Sequence, residues 1–128
     1  SEVKSEEKQL SQLWKSAIKN NRNRDHYAAL QDYSKALEIA PENHFLFYNR
    51  GLTYANLKLL TQAINDFEKA IKIKSDFGPA YGDRGMAFYE LDQKDKACKD
   101  FKKAADLKYK RAISWIEDKN RSAWCTQN

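Results

Sequence analysis

Alanine returns every 34 residues at two places along this chain, as Ala29, Ala63 and Ala97 and again as Ala36, Ala70 and Ala104. The two sites are seven residues apart, so on a helix they share one face. An aromatic stands between them on the same period, Tyr33, Phe67 and Phe101, and upstream run Leu13, Phe47, Tyr81 and Trp115, then Ala17, Gly51 and Gly85. Such spacing constrains the chain to a stack of similar two-helix units, each covering an apolar face of its neighbour. The small residues thin one side of each helix so that its partner can approach. Glycine inside a helix costs about 1 kcal/mol relative to alanine, so Gly51 and Gly85 point to close packing.

The periodicity maps helices near 6–20, 25–39, 44–57, 60–73, 78–91 and 94–107, with a seventh from about 110 to 124. No strand-like alternation interrupts them, and no run approaches the roughly 18 apolar residues of a membrane span. Pro41 stops the second helix, Asn43 and Ser75 are candidate caps, and residues 1–8 are expected to fray. The final segment keeps Trp115 on the period, then turns polar at Glu117, Asp118, Lys119, Asn120 and Arg121, as the end of an array must.

With these residues the chain resembles the tetratricopeptide repeat (TPR) family over roughly residues 10 to 111. Asn20 departs from the pattern, where later repeats have Tyr54 and Phe88, and Ser75 and Tyr109 stand where the first repeat has Pro41. The resemblance implies an all-α, right-handed superhelix forming a single domain over 1–128. It would comprise helix-turn-helix repeats at 10–43, 44–77 and 78–111 and a capping helix at 112–125.

The first helices of TPR arrays line a concave surface that binds peptides or extended protein segments. By register this surface falls on Trp14, Ile18 and Asn21, then Phe45, Tyr48, Leu52 and Asn56, then Pro79, Gly82, Met86 and Tyr89. Its aromatic and methionine content suits a binding groove better than a solvated face. The expected partner site is therefore Trp14, Ile18, Phe45, Tyr48, Asn49, Leu52, Met86 and Tyr89, with the Asn49 amide available to a peptide backbone. Chaperone-adaptor members clamp EEVD-like C-termini with basic and amide side chains whose places here are Trp14, Ile18, Asn49, Pro79 and Asp83. Only Asn49 matches, and Asp83 would repel the ligand, so an EEVD-type tail is not the expected partner.

Catalysis has no support in the sequence. No glycine loop for phosphate, nucleophile elbow or zinc-binding helix motif occurs, so no enzyme activity, cofactor or metal is expected. His26 and His44 read as exposed turn residues. Arg50 and Arg84, each preceding a glycine, read as intramolecular partners of a nearby carboxylate. Cys98 shares its register with Leu30 and Ile64 and reads as a core cysteine, with a disulfide to Cys125 as the competing reading. A straight cap antiparallel to the preceding helix would leave Cys125 about one turn, roughly 6 Å, too far.

The net charge of +5 is concentrated in residues 94–111, where eight Lys and Arg face three Asp. Without aromatic residues interleaved in a base-stacking arrangement, this stripe reads as a solvated face. Two alternatives to the protein-binding scaffold stay open: a structural homo-oligomer that fills its own groove, and a weak electrostatic binder of nucleic acid. The compartment is open as well: cytoplasm, or the bacterial periplasm if a leader has been removed.

Overall fold

The computed structural model describes residues 1–126. Its order is α1 (Glu2–Arg22), α2 (His26–Ile39), α3 (His44–Asn56), α4 (Leu60–Ile73), α5 (Gly78–Glu90), α6 (Lys94–Asp106), α7 (Lys110–Glu117) and α8 (Lys119–Thr126). Among the described residues there is no strand. Three hairpins, α1/α2, α3/α4 and α5/α6, stack by the second helix of one against the first of the next, and α7 and α8 close the end.

All six periodic alanines and Ala17 are fully buried, and Phe67, Phe101 and Tyr33 lie beside them in the core. The glycines answer the same demand. A Cβ at Gly51 would stand 2.7 Å from Phe67 Cε1, and one at Gly85 3.0 Å from the Phe101 ring. The aromatic of the second helix thus lies directly on the backbone of the first, and no larger residue fits under it.

A second periodic contact joins each hairpin. Arg50 Nε and Nη2 donate to the two Asp66 carboxylate oxygens at 2.8 and 2.9 Å, and Arg84 repeats the fork on Asp100 at 2.8 Å for both bonds. Each arginine is therefore an intramolecular partner, as its place in the sequence suggests. The acceptors also recur every 34 residues, as Asp32, Asp66 and Asp100. In the first hairpin Ser16 replaces the arginine, and Asn20 Nδ2 donates to Asp32 at 2.9 Å instead. The irregular Asn20 therefore satisfies the carboxylate that would otherwise lack its partner.

Two features differ from the sequence reading. Residues 2–8 are helical; the helix begins at Glu2, capped by Ser1 Oγ, which accepts from the Lys4 backbone N–H. The cap is not one helix but two, broken at Asp118, whose ψ of 98° leaves the helical region. Asp118 Oδ1 accepts from Asn120 N, while Ser122 Oγ donates to Ile116 O at 2.7 Å and Asp118 O at 3.0 Å, so the break is hydrogen-bonded rather than loose. The loops share a further regularity. Arg24, Lys58 and Asp92, in the turns inside the three hairpins, all take positive φ near 60°. Lys108, between α6 and α7, does the same at 68°, so α7 is joined by an intra-hairpin type of turn.

The break in the cap decides the cysteine question. It folds α8 back so that Cys125 reaches Cys98 with Cα atoms 5.3 Å apart, and the two form a disulfide. Cys98, Phe101, Trp115 and Cys125 then make one terminal core cluster. The cross-link spans 27 residues, and a loop of that length stabilises a fold by about 3 kcal/mol through the unfolded chain. Cys98→Ser with Cys125→Ser is expected to lower the unfolding free energy measured in urea by that amount, with α8 losing protection from hydrogen exchange first. Ala70→Leu, which forces a larger side chain into a fully buried helix contact, is expected to cost about 1 to 3 kcal/mol in the same measurement.

Candidate functional site

The inner helices α1, α3 and α5 carry an aromatic and apolar row, but its members differ in freedom. Phe45 is 47% exposed, Met86 40%, Tyr89 39% and Ile18 37%. Trp14 is half-buried and meets Phe45 edge-on at 6.4 Å. Phe45 in turn lies 5.4 Å from Phe77, so Trp14, Phe45 and Phe77 form one aromatic patch at the start of α3.

Tyr48 and Leu52, expected as open anchors, belong partly to the core around Phe67. The Tyr48 ring lies 5.8 Å from Phe67 and 5.1 Å from Phe77, and its hydroxyl donates to Asp83. Burial, then the adjacent Asp83, hold the Tyr48 phenol proton far more tightly than usual. Asn49 Nδ2 donates to Phe45 O at 2.9 Å, so the amide expected to meet a peptide is engaged with its own helix. Tyr89 is stacked by Trp124 of α8 at 5.8 Å and 24°, so the chain's own end sits on it. Gly82, assigned to the lining, is buried beneath Tyr109.

The histidines are not simple exposed turn residues. His26 Nδ1 is 2.9 Å from Asn21 Oδ1, Asn21 Nδ2 donates to Thr53 Oγ1 at 2.9 Å, and Thr53 donates to Asn49 O. This polar chain ties the first hairpin to the second. The His44 ring packs on Phe45 and Phe77 at 4.3 and 4.9 Å, and its Nε2 is buried without a hydrogen-bond partner. Burial and Lys74 lower its pKa and favour the neutral ring.

Beyond Tyr48 the row opens into a cleft of about 410 Å³ between α5 and the cap, lined by Asp83, Met86, Tyr109, Arg111, Trp115 and Arg121. Asp83 holds its proton more tightly than an ordinary carboxylate because burial outweighs the Tyr48 hydrogen bond and the Arg111 charge. Phe77, Tyr109, Trp115 and Trp124 were not assigned to the surface by register. Phe77 precedes α5, Tyr109 lies in the turn after α6, and Trp115 and Trp124 belong to the cap.

Among the described residues no group of His, Cys, Asp and Glu could hold a metal ion, and no helix is long and apolar enough to cross a membrane. Models of the tetratricopeptide repeat match residues 45–77 and 78–111, together just over half of the chain. The chain belongs to the tetratricopeptide repeat family. The unmatched first hairpin is the one where Ser16, Ala17 and Asn20 replace the arginine, glycine and aromatic of the others.

The TPR fold is equally plain in solved structures. The first TPR of Spaghetti (RPAP3), bound to the HSP90 peptide SRMEEVD, is 23% identical with a TM-score of 0.82, over 91% of this chain and 94% of that one. The first TPR domain of human RPAP3 is 23% identical with a TM-score of 0.81, over 93% and 96%. MamA is 28% identical with a TM-score of 0.75, over 81% and 61%. Comparison with curated proteins gives no match. The chain is thus a TPR module, of the kind that serves protein interaction.

Asp83 gives the cleft a pH signature. Its folded-state pKa is raised, so the charged form destabilises the fold. That penalty is absent below the unfolded carboxylate value and grows as pH rises through the folded one. Asn at this position still offers Tyr48 an acceptor. Asp83→Asn is expected to raise the urea midpoint at about pH 7 and to reduce the gain that the native protein shows on acidification toward about pH 4. An unchanged pH profile would place the titrating group elsewhere.

Proposed function

We propose that this protein is a noncatalytic scaffold that holds a peptide or extended protein segment along the inner face of its TPR array. The observation that carries the reading is the row of large apolar side chains left accessible on the inner helices, Ile18 and Phe45 at one end and Met86 in the cleft at the other. Exposed aromatic and methionine side chains in a concave setting supply contact area that a folded monomer would otherwise cover. Peptide binding by the first TPR of Spaghetti (RPAP3) supports the same use of the fold.

The partner is not an EEVD-type tail in this reading. The five places of that clamp hold Trp14, Ile18, Asn49, Pro79 and Asp83, and the Asp83 carboxylate accepts the Tyr48 hydroxyl within the groove. The peptide SRMEEVD is expected to show no saturable binding by calorimetry up to about 1 mM. Saturable binding, lost on Asn49→Ala, would restore it as a ligand.

Phe45 and Met86 test the groove more cleanly than Tyr48, which is also a core residue. Against peptides selected from a displayed library, Phe45→Ala with Met86→Ala is expected to weaken binding by about 2 kcal/mol, or roughly thirtyfold. The melting temperature should fall only a few degrees. Equal binding by the double variant would move the site off the inner face. A dimer in light scattering, dissociated by the same variant, would favour a groove filled by a second copy.

A further inference from the structure

The outer side of the third repeat carries a second surface that the groove reading does not use. Tyr81 and Phe88 are seven apart on α5, and Arg84 between them is 5.6 Å from the Tyr81 ring centroid and 5.8 Å from that of Phe88 while forking onto Asp100. Lysines of α6 lie on the same rings: Lys96 Nζ is 5.5 Å from the Phe88 centroid and Lys103 Nζ 6.0 Å from that of Tyr81. Together with Lys99, Lys102, Asp106 and α4 Glu68 they line a groove of about 610 Å³ in which cations outnumber carboxylates. The preceding helix thus sets aromatic rings against the lysine stripe.

The second repeat is an internal control for what the fold itself requires. It has the same ladder, with Arg50 5.7 Å from the Phe47 ring and 5.9 Å from the Tyr54 ring, and Lys69 5.5 Å from Phe47. Lys69 is the register mate of Lys103. The mates of Lys96, Lys99 and Lys102, however, are Gln62, Asn65 and Glu68. The hairpin packs equally well with neutral or acidic residues there, so the row of cations on α6 answers no demand of the repeat.

We propose that this groove binds an acidic segment of a partner protein, whose carboxylates meet Lys96, Lys99 and Lys103. Those lysines lie on one helix face and span about 10 Å, the reach of two helical turns or of a few extended residues. The Lys96 and Lys103 ammonium groups lie over the Phe88 and Tyr81 rings, which holds them in advance and reduces the ordering cost of binding. Nucleic acid fits less well, because each ring already has Arg84 and a lysine against it and none is left to stack a base. A membrane surface fits less well because the lysines line a recess bounded by the carboxylate of Glu68.

The test gives the α6 positions the residues that α4 already carries, Lys96→Gln and Lys99→Asn. A second variant, Lys4→Gln with Lys8→Asn on exposed α1, removes the same charge elsewhere. The probes are a fluorescein-labelled Glu-Glu-Ala repeat peptide, a single-stranded oligothymidylate of equal charge, and phosphatidylserine vesicles, all at about 0.15 M ionic strength. The acidic peptide is expected to bind most tightly, to lose about tenfold in affinity in the α6 variant and to be unaffected by the α1 variant, with the melting temperature of both unchanged. Three results would overturn the proposal: no binding of the peptide, equal loss in the two variants, or tighter binding of the oligonucleotide or vesicles. The groove variant Phe45→Ala with Met86→Ala should leave this binding intact, so the two surfaces fail or stand separately.

Discussion

The close approach of the two helices in each hairpin is the contact on which the rest of the molecule depends. Phe67 lies on the backbone at Gly51 and Phe101 on that at Gly85, with fully buried alanines on either side. Close packing of this kind is intolerant of added volume, which is why the same small residues must recur. Once the pair of helices is fixed at that separation, the arginine before each glycine falls within reach of the aspartate before each aromatic. The bidentate Arg50–Asp66 and Arg84–Asp100 bonds then lock the register. In the first hairpin, which lacks the arginine, Asn20 donates to the half-buried Asp32 instead.

Stacking these hairpins leaves the inner and outer faces with different chemistry. The inner face carries apolar rings and Met86, with Tyr48 and Asp83 as a bonded polar pair halfway along. The outer face of the third repeat carries a ladder of aromatic rings and cations. The cap bounds the inner face, because the disulfide brings α8 back and sets Trp124 on Tyr89. One covalent bond therefore serves both the last core cluster and the boundary of the inner face.

Family and repeat architecture were legible in the sequence because a period of 34 residues reports directly on which side chains must be small. For the inner face, register says only which way a position faces. It does not say how deep the side chain lies or what covers it. Tyr48 is drawn into the core by Phe67 and Phe77, and the Asn49 amide is taken by Phe45 O. These are contacts between neighbouring helices, or with one helix's own backbone, and no spacing rule contains them.

The sequence by itself determined the unit, the number of hairpins, the buried alanines and the intramolecular role of Arg50 and Arg84, since each follows from a local helical period and a fixed hairpin separation. Only the tertiary structure decided where the period stops. Nothing in the composition of residues 110–126 marks Asp118 as a break, and a straight helix would have left Cys125 a turn away from Cys98. Tertiary packing likewise joined Tyr81 and Phe88 of one helix to the lysines of the next, because residues on different helices meet at a place that neither helix specifies alone.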